Sequence, residues 1–387
     1  MIGRTEGAGP TVVPLPDVNT AAAADRGTPV DAVPPVEDPA APVRTAATPV
    51  VEDRRRYDIE LLRIVASVAV IVLHTAGLLF PVETKNPLGG AAHWVALSGD
   101  TLGRFAVPAF FAISGWAVLV ASPPKSGSIL MRRVVRVIVP MAVWTIVYLL
   151  WSLVLPATDP TLTGQLGINA LFGSVQPAFH MWYLYGYIPL IILLGCVQLA
   201  VSGRSLRLAG VVLLFFAVLP TIATPVLVLT GVVLPRAQWG PAFYQIAYAV
   251  GGAVLLARPL RLRLVVLIPL HVLAFVAVLW WEHTILAPAP YGTVAVTVYT
   301  ATSILLITRI RVPLRVRAFV RRLADASFGV YLVHILLLQA VLTWWADPHV
   351  AHPYPGLWLA AVAGTVVVVS FVLSLAWGRV GWRKILG

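Results

Sequence analysis

The sequence is short of charge, nearly free of lysine and holds a single cysteine. Only 11% of its 387 residues are charged, against about 25% in ordinary soluble domains. So few ionisable side chains cannot cover a water-soluble globule. With 59% hydrophobic residues and a mean hydropathy of +0.87, the composition is that of an integral membrane protein. Cys196 stands alone in an apolar segment, which excludes an intramolecular disulfide framework and a cysteine-rich metal site. Three lysines accompany 25 arginines, and the net charge is +12. That sum alone would suit nucleic acid. The basic residues instead come in short clusters between apolar runs, so they read as topology signals and nucleic acid is not an expected partner.

What is present divides the chain in two. Residues 1–53 are rich in Ala, Pro, Val and Thr, carry scattered acids and show no sustained period. They read as a disordered cytoplasmic tail without the apolar core of a signal peptide. Residues 54–387 read as a membrane-embedded, all-α domain. Ten candidate spans run approximately over 59–80, 103–122, 134–155, 182–201, 207–230, 241–257, 263–281, 291–308, 327–345 and 357–378, each near the roughly 20 residues a bilayer-crossing helix needs. Basic residues alternate across this count. Arg54–Arg56, Lys125–Arg136, Arg204–Arg207, Arg258–Arg263, Arg309–Arg322 and Arg379–Lys384 fall on one side. Only Lys85, Arg104 and Arg236 fall on the other. The alternation predicts that both termini are cytoplasmic. Trp94, Trp182, Tyr183, Tyr185, Trp239 and Trp281 flank the outer ends as an aromatic belt would. No internal repeat is visible, which counts mildly against repeat-built transporters.

Five stretches carry residues capable of chemistry. In LLRIVASVAVIVLH, Arg63 and His74 are eleven residues apart, close to three turns at about 3.6 residues per turn, so both project from one face some 16 Å apart along the axis. Glu60 and Ser67 share that stripe. An arginine in a span costs at least about 2.5–3.5 kcal/mol, which usually marks function. The plainer alternative has Arg63 snorkelling to the surface and His74 bonding a carbonyl; His74 lies too deep to snorkel and is the better candidate. In RFAVPAFFAISGWAV, Ser114 and Gly115 form either a substrate feature or, more commonly, a small-residue notch for close helix packing. In RRVVRVIVP, Arg133 and Arg136 lie one turn apart; they suit a phosphorylated ligand or a plain basic flank equally well. HMWYLYGYIP places His180 beside Trp182, where it would shape an outer opening. ASFGVYLVHILLL brings Tyr331 and His334 into the ninth span. A lone His271 in the seventh span reads as packing.

Together, Arg63-x10-His74, FFAISG (110–115), RRVVR-x3-P (132–140), HMWYL (180–184) and FGVYLVH (328–334) resemble, in order, the acyltransferase-3 family of bacterial membrane acyltransferases over roughly residues 55–380. The resemblance implies a multi-pass protein of the bacterial cytoplasmic membrane. It implies transfer of an acyl group, acetyl by default, from cytoplasmic acyl-CoA as co-substrate to a hydroxyl of a carbohydrate, glycolipid or metabolite. Arg63 and His74 match the family's essential pair, with Glu60 where many members carry Asp and expected to pair with Arg63. Arg132, Arg133 and Arg136 match its basic motif for the CoA nucleotide. No metal is implied. Thioester-to-hydroxyl transfer needs a base near the nucleophile, and histidine, with its ordinary pKa near neutrality, suits that role. The rival class is a proton-coupled permease for a sugar or lipid-linked precursor, which would use the same intramembrane Arg and His.

Overall fold

The computed structural model describes residues 55–80, 89–154, 167–171, 178–203, 240–347 and 353–387. Among the described residues the chain is helical and contains no strand. The tail over 1–53 and the expected span over 207–230 lie outside them.

Helix α1 is Tyr57–Gly77, a run of Leu, Ile, Val and Ala with Asp58 and Glu60 in its first turn, where carboxylates complement the helix dipole. The second span divides into α2, Ala91–Gly103, and α3, Ala106–Trp116, which continues into a π-helical turn, Ala117–Ala121. Next come α4, Gly127–Val154; α5, Trp182–Val201, led by a 3-10 turn, Phe179–Met181; α6, Phe243–Ala257; α7, Leu264–Ile285; and α8, Val294–Ile307. The 31-residue α9, Leu314–Trp344, then packs against α10, Pro355–Arg379, and a terminal turn α11, Arg383–Leu386, follows.

Among the described residues, seven helical stretches are long and apolar enough to cross a membrane: α1, α2 through the π-turn, α4, the 3-10 turn with α5, α7, α9 and α10. The sixth and eighth expected spans fall on the shorter apolar helices α6 and α8. Large apolar side chains face outward along these helices, as with Val265 (73% exposed), Leu273 (66%) and Leu150 (60%). Contiguous apolar surface of this kind in helices of this length is a lipid-facing surface, and the protein is a multi-pass membrane protein.

Two departures from the sequence reading have clear physical causes. The second span begins twelve residues before position 103, because α2 buries its polar side chains against α7. Glu282 accepts from Thr101 Oγ1 (2.7 Å), Arg104 Nε (2.8 Å) and the Ala289 amide (3.3 Å), and Arg104 also pairs with Asp100. Arg104, expected in an outer connection, is instead a buried ion-pair member, since an intramembrane charge persists only with partners of this kind. Tyr183 and Tyr185, expected in an interfacial belt, are likewise buried in the core.

The most extensive helix contact among the described residues joins α3 to α6. A Cβ on Gly115 would overlap the Ala249 backbone, and one on Gly252 would overlap Ala112. Gly115 is thus the small-residue notch of two closely approaching helices. The adjacent Ser114 faces the bundle interior.

Candidate active site

Among the described residues, two neighbouring spaces share three aromatic side chains. The larger, about 620 Å³, is partly open and is bordered by α1, α3, α4, α5 and α9. Arg63, Ser114, Arg133, Arg136, Tyr183 and Tyr331 all line it, so all five stretches singled out in the sequence meet here. The smaller, about 30 Å³, is lined by His74, His180, Trp182 and Tyr291. Phe110, Tyr183 and Tyr331 line both spaces and form the wall between them.

Electrostatically the larger cavity attracts anions. Three arginines line it against one carboxylate, Asp325, which is tied to Arg55 at 3.0 Å. Arg133 donates to the carbonyl and to the hydroxyl of Ser122, both uncharged acceptors. Neither Arg63 nor Arg136 has a side-chain hydrogen bond or ion-pair partner among the described residues. An arginine with no partner, lining an internal cavity, is held ready for an anionic or carbonyl-bearing ligand.

Glu60 does not pair with Arg63. Its carboxylate accepts from Arg55 Nε at 2.5 Å, and its Oε2 has no partner among the described residues. Arg55, just ahead of α1, folds back over the first turn and captures the acid that the family resemblance pairs with Arg63. Arg132 also departs from expectation: it is exposed and does not line the cavity, whereas Arg133 and Arg136, on the adjoining face of α4, do.

Behind the aromatic wall, three imidazoles gather. His334 stacks on His74 with ring centroids 5.4 Å apart and meets His180 edge-on at 5.0 Å. His334 Nδ1 lies 2.6 Å from the Tyr331 carbonyl. A carbonyl only accepts, so Nδ1 carries the proton and the lone pair of the neutral ring sits on Nε2, which has no partner among the described residues. His180 is buried, not at an outer opening, and neither of its ring nitrogens has a partner among the described residues. The Tyr331 hydroxyl donates to the His180 carbonyl at 2.6 Å, fastening α9 to the head of α5. Trp182 stacks on Tyr291 at 6.0 Å, and Arg104 lies over the Tyr291 ring, 5.7 Å from its centroid.

Several contributors escaped the sequence reading. Tyr148, on α4, donates its hydroxyl to the Leu332 carbonyl (2.9 Å) and accepts from the Leu336 amide (3.0 Å), so it sits across the backbone pair that brackets His334. Phe110 and Tyr183 lie within recognised stretches and Asp325 just ahead of one, but nothing in their spacing marks them as cavity-lining. His271 bonds Thr302 Oγ1 at 3.0 Å and stacks on Tyr299 at 5.0 Å, in keeping with a packing role.

A helical membrane bundle whose interior holds a cationic cavity beside a histidine chamber is suited to chemistry on a polar ligand inside the membrane. The chain belongs to the acyltransferase-3 family: the family model described as an acyltransferase domain matches residues 56–377. No curated protein and no solved structure matches it.

Proposed function

We propose that the chain is an acyl-CoA-dependent O-acyltransferase of the bacterial cytoplasmic membrane, with ten spans and both termini cytoplasmic. It moves an acyl group, acetyl by default, to a hydroxyl of a glycan, glycolipid or small-molecule acceptor. The observation that carries this reading is the convergence of Arg63, Arg133 and Arg136 on one cavity, with His74 just beyond a wall of three side chains. Donor phosphates suit Arg133 and Arg136, since guanidinium matches phosphate oxygens bidentately. Arg63, deeper and unpaired, supplies positive charge to the donor as its pantetheine arm carries the thioester towards the wall. Glu60 acts only indirectly, by fixing Arg55 at the head of α1.

The chemistry then needs little else. The acceptor oxygen attacks the thioester carbonyl carbon, a C–O bond forms, and collapse of the tetrahedral species breaks C–S. His74 takes the hydroxyl proton and returns it to the departing thiolate, so no net proton is consumed. His334, its Nδ1 already committed, keeps the adjacent imidazole in place and offers a second lone pair at Nε2.

The test is covalent transfer. Full-length protein in proteoliposomes, supplied with acetyl-CoA labelled in the acetyl group and an envelope-glycan and lipid extract, is expected to release free CoA and leave label as an alkali-labile ester. Uptake of extract components with no ester formed would overturn the enzyme reading in favour of a carrier.

A further inference from the structure

A second cationic cavity, apart from the histidine chamber, lies where α1 and α9 begin and α8 ends. It measures about 370 Å³ and is lined by Arg55, Arg56, Arg309, Arg311 and Arg317, with Asp58 its sole carboxylate. These side chains come from two regions more than 250 residues apart in sequence, so the cluster is assembled by the fold and is more than a basic flank of one span. Two of the five charges are answered: Arg56 pairs with Asp58 at 2.6 Å, and Arg55 with Glu60 at 2.5 Å. Three are not. Arg309 donates to the Leu262 carbonyl at 2.5 Å and Arg317 lies 4.9 Å over the Tyr57 ring, contacts that orient a guanidinium without neutralising it. Arg311 has no side-chain partner among the described residues.

From this we infer that the cavity binds the headgroup of an anionic phospholipid. Three uncompensated guanidiniums call for an oxygen-rich anion, and phosphate is the group their geometry fits best. The rim points to lipid as its source. Ile310 lines the cavity at 53% exposure, and Leu314 (77%) and Phe319 (61%) are exposed on the adjoining turns of α9, an apolar border at the end of a membrane helix on which acyl chains would lie. A zwitterionic headgroup would bring a further cation against the arginines, so the selectivity is for net negative lipid. This inference is independent of the acyl-transfer reading.

Native mass spectrometry of the full chain from mixed micelles of phosphatidylglycerol and phosphatidylcholine tests it. Wild type is expected to retain phosphatidylglycerol preferentially. Each arginine near a membrane surface contributes about fivefold to such binding, so Arg311→Gln should bind about fivefold more weakly and Arg311→Gln with Arg317→Gln about 25-fold. Arg258→Gln with Arg261→Gln, removing equal charge outside the cavity, should weaken binding far less than the cavity double variant. Arg311 is exposed and unpartnered, so its single variant keeps the test decisive if the double variant misfolds. Equal loss in the Arg258/Arg261 control, equal retention of phosphatidylcholine, or displacement of the lipid by the soluble probe 3′-phosphoadenosine 5′-phosphate would each overturn the inference.

Discussion

Replacing Tyr148 by phenylalanine removes one oxygen atom from the middle of the bundle. That hydroxyl donates to the Leu332 carbonyl and accepts from the Leu336 amide, two groups that an uninterrupted α-helix joins to each other. Without it those two groups keep only the bonding that α9 itself provides, and the clamp across the turn that carries His334 is lost. An ordinary buried hydrogen bond contributes about 0.5–1.5 kcal/mol net, and a stranded buried group costs about 1–3 kcal/mol. The bonding within α9 covers part of this, so the expected loss for Tyr148→Phe is about 1–2 kcal/mol. Since the Tyr148 ring also packs edge-on against His180 at 5.5 Å, the aromatic contact survives and the effect isolates the hydroxyl. The assay pairs reversible unfolding in detergent with hydrogen exchange over a peptide spanning 331–338, where protection should fall. Turnover should fall as well, because Tyr331 and His334 ride on the same turn. Unchanged stability, exchange and turnover would refute the claim that Tyr148 holds this part of α9.

Other substitutions separate binding from chemistry. Arg133→Gln with Arg136→Gln should raise the KM for acyl-CoA about tenfold, the equivalent of one charge-assisted hydrogen bond, with kcat little changed, whereas Arg132→Gln should alter neither; steady-state kinetics against donor concentration decides this. Gly115→Ala sets a methyl group against the Ala249 backbone, which cannot yield as a flexible side chain would, and should cost about 1–3 kcal/mol in detergent unfolding by overpacking. Phe110→Ala opens the wall between the two spaces and should improve turnover of butyryl-CoA relative to acetyl-CoA, read as a ratio of kcat/KM values.

Much of this arrangement is legible in the sequence because hydropathy and helical period act locally. Arg63 and His74 share a face of α1 by spacing alone, and the structure sends them to adjoining spaces sharing one wall. What escaped depends on contacts distant in sequence. The segment AAHWVALSGDTLG reads as a polar connection until Glu282, more than 175 residues later, supplies the acceptor its Thr101 and Arg104 need. Glu60 pairs with Arg55 and not with Arg63 because of how the chain before α1 folds back, which its position in the sequence does not reveal. Gly115 and Ser114 look alike as small residues, yet one meets a helix backbone and the other a cavity. Tyr148 is invisible in sequence because a tyrosine among apolar neighbours gives no hint of bonds to a backbone 184 residues away.

The central claim is that His74 is the base of an acyl transfer inside the bundle, and His74→Ala tests it most directly. With purified wild-type and variant proteins shown to be equally folded by their unfolding transitions, initial rates of acetyl ester formation from acetyl-CoA are compared in the same proteoliposomes. Loss of a general base predicts a fall of about a hundredfold or more in kcat, with donor binding retained. Ester formation at the wild-type rate in His74→Ala would contradict the account.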